Sequence, residues 1–294
     1  MMSSRSFARS CGTHLGSLAM AALLNVPVAH AADYLRGTYG GHSEPQKQSS
    51  GVDWAGVYAG GHGGLSATRS NYEGIGRTLG LNVLPNLAIT DQIPPLINLG
   101  SATKQGTTFG AFAGVNYLWD DVVLGLEVDY TRSSVASQST SPSISRSLSA
   151  ASTGTDVWST TVSASARGEI KNWYTARARV GWAAGYFMPY LTAGLAFGQI
   201  TTNGRADGST SQYAVTADPV TARPVLTLRG STSNTATTRY NGLTFGGAVG
   251  AGVDMAFFSN VFLRAEWQYI QFASGGTRPE VVINTARVAG AVKF

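Results

Sequence analysis

The sequence predicts an all-β protein: a transmembrane antiparallel up-and-down β-barrel of about eight strands, with long loops on one side. Three observations predict it. Side-chain character alternates with period two over most of the chain, connections alternate between short and long, and beyond the N-terminal segment no stretch of 18 or more apolar residues is available to form a membrane helix.

Residues 243–255 show the alternation best. One face carries Leu243, Phe245, Gly247, Val249, Ala251, Val253 and Met255; the other carries Gly242, Thr244, Gly246, Ala248, Gly250, Gly252 and Asp254. Successive strand side chains point to opposite faces, so this segment has one continuous apolar face and one small or polar face. A helix would scatter the same residues, and its glycines would cost it heavily. The pattern recurs over 109–117, 122–130, 174–182, 191–197, 263–269 and 286–294. Residues 54–66 supply an eighth strand whose faces are harder to assign: Trp54, Tyr58 and His62 share one side, Val57 and Leu65 the other.

Short turns fall near Trp119-Asp120, Gly185-Tyr186 and Ser259-Asn260, and long polar stretches at 67–106, 132–170, 200–238 and 273–281. A soluble sandwich has no reason for such asymmetry, whereas transmembrane barrels are built this way. Strand extensions beyond the bilayer are expected in 155–170 and 212–228; pairing within the membrane would raise the count to ten. Tyr117, Trp119, Tyr130, Tyr174, Trp182, Trp267 and Tyr269 sit near the ends of apolar faces, as the aromatic girdles of a membrane barrel do.

Composition agrees. Glycine makes up 36 of 294 residues, about 12% against a usual 7%, and charged residues are 13%, about half the usual share. A mean hydropathy of +0.01 is too polar for a helical membrane protein. The start has the order of a secretory signal: Arg5 and Arg9, an apolar run from Leu15 to Val28, then Ala29-His30-Ala31. Residues 1–31 are therefore expected to be a signal peptide and 32–52, rich in Gly, Ser, Gln and Pro, a flexible leader, with the barrel over 53–294. Cys11, the only cysteine, lies in the signal, so no disulfide holds the mature chain. Loss of Arg5 and Arg9 takes the formal charge from +5 to +3 (+5 − 2), too weak and scattered for a nucleic-acid partner.

Within the expected spans, Glu127, Asp129, Arg177, Arg179, Asp254, Arg264, Glu266, Arg287 and Lys293 all fall opposite the apolar stripe, on the lumen face. An eight-stranded barrel has an interior just wide enough for side chains. Unpaired charges there are costly, so the expectation is an ion-paired, largely plugged lumen; the alternative is that these charges line a narrow pore.

Several motifs look familiar. Trp54-Ala-Gly-Val-Tyr58-Ala-Gly resembles the first-strand signature of the outer-membrane immunogenic, porin-like β-barrel family of alpha-class Gram-negative bacteria. Gly114-Val-Asn116-Tyr117 with Gly125-Leu-Glu127 is similar to its second and third strands, Thr175-Ala-Arg177-Ala-Arg179-Val-Gly181 to its fourth, and Pro189–Gly198 to its fifth. Arg264-Ala-Glu266-Trp-Gln-Tyr269 is similar to its seventh, and the terminal Phe294 to the aromatic end recognised by the outer-membrane assembly machinery. The matches span 54–294 in order; the long loops match nothing. The resemblance implies an eight-stranded barrel in the cell outer membrane, in contact with its lipid, with loops facing outside. Some relatives bind haem and many are surface antigens.

Chemistry beyond that is sparse. His14 and His30 leave with the signal, His42 lies in the leader and His62 in the first strand, so haem would need a tyrosine ligand such as Tyr72 or Tyr213. No paired histidines or cysteines suggest a metal, and the serine-rich 133–152 has no histidine to activate a nucleophile. Glu127 and Asp129 have Arg177 and Arg179 as ready partners, and Gly60-Gly61-His62-Gly63-Gly64 lacks the Lys-Ser/Thr and helix of a phosphate loop. The sequence thus points to a non-enzymatic envelope and surface-interaction barrel without cofactor, with a narrow solute channel or a haem receptor as alternatives.

Overall fold

The computed structural model describes residues 52–85, 87–149, 156–221, 223–275 and 278–294. The expected signal peptide and all but the last residue of the leader, including His42, lie outside them. The elements are β1 (Gly56–Asn71), α1 (Glu73–Val83), two 3₁₀ turns (Thr90–Gln92 and Pro94–Leu96), β2 (Ser101–Trp119), β3 (Val122–Ser133) and β4 (Ala136–Ser149). They continue with β5 (Asp156–Trp182), β6 (Phe187–Ala217), β7 (Pro224–Ala256), β8 (Val261–Phe272) and β9 (Glu280–Lys293).

All pairings between strands are antiparallel, and eight strands close on themselves. β1 pairs with β2 and β9, β9 with β8, β8 with β7, β7 with β6, β6 with β5, β5 with β3 and β3 with β2. One row of partners runs Leu263, Gly290, Gly61, Ala111, Tyr130, Tyr174, Phe197 and Phe245. It returns to the β8 end at Ala273, whose N–H donates to Phe245 O, ten positions beyond Leu263 (273 − 263). That stagger around eight strands implies a tilt of about 40° and an interior that side chains can fill.

The short turns follow from local chemistry. Asp120-Asp121 joins β2 to β3 with Asp120 at φ 56°, a left-handed conformation that aspartate tolerates in tight hairpins. Gly185, at φ 66°, serves the β5–β6 turn in the same way.

The long polar stretches contain the extensions expected in 155–170 and 212–228, apart from the turn after Ala217, and carry strand well beyond them. Most of 132–170 and 200–238 is strand. β4 continues β3 after a break at Ser134-Val135 and pairs with the distal half of β5, from Ala136 opposite Glu169 to Ser149 opposite Val157. β6 and β7 stay paired from Phe187 opposite Met255 out to Ala217 opposite Pro224. These extensions form a four-stranded sheet, β4-β5-β6-β7, above the closed barrel. The ninth strand therefore lies outside the ring of eight, and the ten-strand alternative does not arise. Outward residues of the extension are Ser159, Thr161, Ser163 and Ser165 on β5, in place of the Leu, Val, Phe and Tyr lower down. Serine and threonine on both faces suit a water-exposed ladder but blur the alternation that marks a strand.

The 67–106 stretch also departs from a polar loop. It begins and ends in β1 and β2, and between them α1 and the two turns bury Tyr72, Ile75, Leu79, Val83, Leu84, Ile89, Ile93 and Leu99. This cap packs on the inward face of the extension sheet, against Trp158, Val162, Ala164, Ala166, Ala206 and Ala236. Gly204 and Gly208 complete that seat: a Cβ on Gly204 would meet Ile75 Cγ2 at 2.9 Å, and one on Gly208 would meet Val83 Cγ2 at 3.0 Å.

Candidate functional site

The barrel interior is stacked in layers, each set by the inward parity of the strands. Nearest the short turns lies an apolar layer of Trp54, Tyr58, Phe112, Val123, Met188, Phe262, Ala289 and Ala291. The inward positions next above it are charged. Above these comes a second apolar layer of Ile170, Trp173, Ala196, Ile200, Ala248, Ile270, Phe272, Val281 and Ile283. The cap cluster follows.

In the charged layer, Glu127, Asp129, Asp254 and Glu266 face Arg177, Arg179, Arg264 and Arg287, all buried. Arg264 grips Asp254 with two bonds, Nε to Oδ1 at 2.8 Å and Nη2 to Oδ2 at 3.0 Å. It also donates from Nη1 to Glu127 Oε2 at 2.6 Å. Arg179 Nη2 donates to Asp254 Oδ2 at 2.8 Å. Arg177 bridges Glu127 and Glu266 through its two terminal nitrogens. Arg287 joins Glu266 (3.0 Å) to Asp129 (2.8 Å). Four acids and four bases thus form one connected, charge-balanced network, which is the condition under which buried charges are tolerable. Aromatic faces line it: the Arg179 guanidinium lies 4.0 Å from the Tyr190 ring centre, and that of Arg264 lies 4.5 Å from Phe112.

Eight of the nine charged residues expected on the lumen face meet in this network. Lys293 does not. Its parity is right, but it lies at the rim, where Nζ donates to Asp53 O and sits 3.4 Å from the Asp53 carboxylate. Its backbone N–H donates to Asn260 O in the β7–β8 turn, too far toward the short-turn end to reach the central layer.

Three participants were not identified from sequence. Tyr58 OH donates to Glu127 Oε2 (2.8 Å), Tyr190 OH to Glu266 Oε2 (2.7 Å), and His62 Nε2 lies 3.1 Å from Asp129 Oδ2. The common side of Trp54, Tyr58 and His62 was a usable signal once that side is known to face inward. His62 needs a neighbour without a side chain: a Cβ on Gly110 would lie 1.9 Å from Tyr130 O and 2.7 Å from His62 Nε2. Gly60 and Gly64 are wall positions too, where a Cβ would come within 2.4 Å of Gly290 O and 2.3 Å of Ala286 O respectively.

The aromatics occupy two levels of the outer wall. Tyr117, Trp119 and Trp182 are exposed beside the short turns. Tyr130 and Tyr174 are cross-strand partners toward the other end, with ring centres 5.1 Å apart, and Trp267 and Tyr269 lie toward the same end of β8. Tyr130 is about eight residues up β3, which at ~3.3 Å per residue and ~40° tilt is about 20 Å, close to the apolar band of a membrane barrel. Between the levels the outward face is apolar, with Leu124, Leu126, Val128, Val180, Leu191 and Val253 all exposed. Phe294, the terminal residue, is 80% exposed.

The tyrosines considered for haem sit apart. Tyr72 is fully buried under the cap, its hydroxyl bonded to Ser137 Oγ (2.6 Å) and Ser137 O (3.0 Å). Tyr213 is half-buried far out on β6. Among the described residues no cluster of three or more His, Cys, Asp or Glu is arranged to hold a metal ion, and no helix is long and apolar enough to cross a membrane, which says nothing against strands.

A family model described as outer membrane protein beta-barrel domain matches residues 17–294. Solved structures with similar architecture include Neisserial surface protein A, at 15% identity and a TM-score of 0.36, covering 82% of this chain and 98% of that one. The outer membrane protein OprG of Pseudomonas aeruginosa is 12% identical with a TM-score of 0.34, covering 83% and 98%. Ail, the attachment invasion locus protein of Yersinia pestis, is 11% identical with a TM-score of 0.28, covering 81% and 99%, in a complex with a heparin analogue. No curated protein matches the chain.

Proposed function

Because the chain belongs to the outer-membrane protein β-barrel domain family and so resides in the cell outer membrane, we propose that it is a non-enzymatic envelope protein whose barrel is plugged and whose interactions are made by the structure above the membrane. One observation carries this reading: the balanced ionic layer lies between two buried apolar layers, with a third apolar cluster folded over the outer end. A water path would have to part contacts such as Arg264 with Asp254 and Glu127 and leave buried charges unpaired, which is strongly unfavourable.

The site offers little to catalysis. His62 presents the same nitrogen to Asp129 (3.1 Å) and to Thr131 Oγ1 (3.4 Å), so it has no geometry to relay a proton from the hydroxyl to the carboxylate, and all three are buried. Haem capture through Tyr72 would require undoing its bonds to Ser137. In the proposed role Tyr117, Trp119, Trp182, Tyr130, Tyr174, Trp267 and Tyr269 anchor the two membrane interfaces.

Refolded full-length protein in planar lipid bilayers tests the plug. The expected result is the absence of discrete conductance steps. Reproducible ohmic steps from the wild-type chain would show an open path and favour the narrow-channel reading.

A further inference from the structure

The outward face of β3–β4–β5 changes character just above the Tyr130–Tyr174 pair. Tyr130 OH donates to Oδ1 of the half-buried Asn172 (3.0 Å). Arg132 is the cross-strand partner of Asn172 and is exposed. Lys171, in the β5 irregularity, is 65% exposed and 3.7 Å from Glu169. Arg167 follows, exposed, with Gln138 and Asn203 as its register partners on either side. Arg132 and Arg167 have no ion-pair partner among the described residues.

The opposite sector differs. Above Tyr269, β8 and β9 present Asn284, Gln271 and Glu280, with Gln271 Nε2 donating to Glu280 Oε1 (3.1 Å). Arg278 there lies over the Tyr240 ring, 6.0 Å from its centre. Arg132 and Lys171 stand just above the Tyr130–Tyr174 pair on the face continuous with the lipid-contacting wall, with Arg167 further up β5; Arg69 on β1 and Arg239 on β7 are exposed arginines on the strands beyond this sector.

We propose that Arg132, Arg167 and Lys171, with the amides of Gln138, Asn172 and Asn203, form a binding site for the phosphate of an anionic lipid in the surrounding leaflet. Guanidinium groups bind phosphate oxygens through paired N–H donors, the amides supply further donors, and the tyrosine pair below packs against the lipid where its chains begin. Basic residues beside a membrane attract anionic headgroups over about a Debye length, and here the cations are anchored on a rigid ladder. The site depends on the membrane placement and not on whether the lumen conducts.

Full-length protein in phosphatidylcholine nanodiscs, with and without phosphatidic acid, provides the test, with retained lipids counted by native mass spectrometry. Wild type is expected to retain phosphatidic acid selectively. Arg132→Gln/Arg167→Gln/Lys171→Gln should lower that retention by about tenfold or more. Arg146→Gln/Arg223→Gln/Arg229→Gln removes the same charge from the distal part of β4 and the β6–β7 hairpin and should retain the lipid as wild type does. Arg132→Lys/Arg167→Lys keeps the charge and should preserve part of the retention, which separates loss of the site from loss of folding. Pyrophosphate should not displace the lipid. Equal retention by the Gln triple and wild type, equal loss in both Gln triples, or displacement by pyrophosphate would overturn the proposal.

Discussion

At the scale of single residues, the central feature is that the charged layer inside the barrel pairs every acid with an arginine. Asp254 is fully buried and accepts from both Arg179 and Arg264. Asp254→Ala removes the carboxylate that two buried guanidiniums share, leaves the network one negative charge short, and should cost about 3–5 kcal/mol in urea unfolding of the detergent-folded protein. Lys293→Ala removes a rim contact and should cost at most ~1 kcal/mol. Equal costs would mean that the buried network contributes nothing. Which residues share the interior was legible from parity alone, because alternation is a local property. Which acid meets which base was not. Glu127 meets Arg264 across 137 positions of sequence, and that meeting depends on the stagger with which the wall closes.

Among the elements, the spans of the wall were the legible part, since lipid on one side and a packed interior on the other force neighbouring side chains to differ. The extensions were harder to read. Ser and Thr occupy both faces of β4 and distal β7, where water replaces lipid and alternation has no driving force. The α1 helix left a signal in Ile75, Leu79 and Val83 at spacings of four, but Gly76 and Gly80 between them lower its helical propensity. Those glycines fit the packing: Gly80 leaves no room for a Cβ beside Pro94, at 2.6 Å. The cap is predicted to depend on its glycine seat. Gly204→Val would drive a side chain into Ile75 and Thr238 Cγ2, the latter only 2.8 Å from a Cβ. Amide-exchange protection over residues 72–100 should then fall, while the wall strands keep theirs. Unchanged protection over that segment would show that the cap is not held by this face.

On the scale of the whole molecule, one continuous wall serves two environments. β6 runs 31 residues from the short-turn end into the extension, its inward positions buried from Met188 through Ala206 to Ala214. Its outward positions change from Leu191, Leu195 and Phe197 to Thr201, Asn203 and Arg205. Inside, apolar and ionic layers succeed one another without a change of parity. Outside, the surrounding medium changes while the ladder does not.

The most direct test of this account is a nitroxide scan along β6 from Leu191 to Val215 in lipid vesicles, measuring collision with oxygen and with a water-soluble nickel complex. Even positions should be inaccessible to both reagents along the whole strand. Odd positions should be accessible throughout, to oxygen up to Phe197 and to the nickel complex from Thr201 onward. Loss of the two-residue period, or nickel access at even positions around Thr192 and Ala196, would contradict a filled barrel rising out of the membrane.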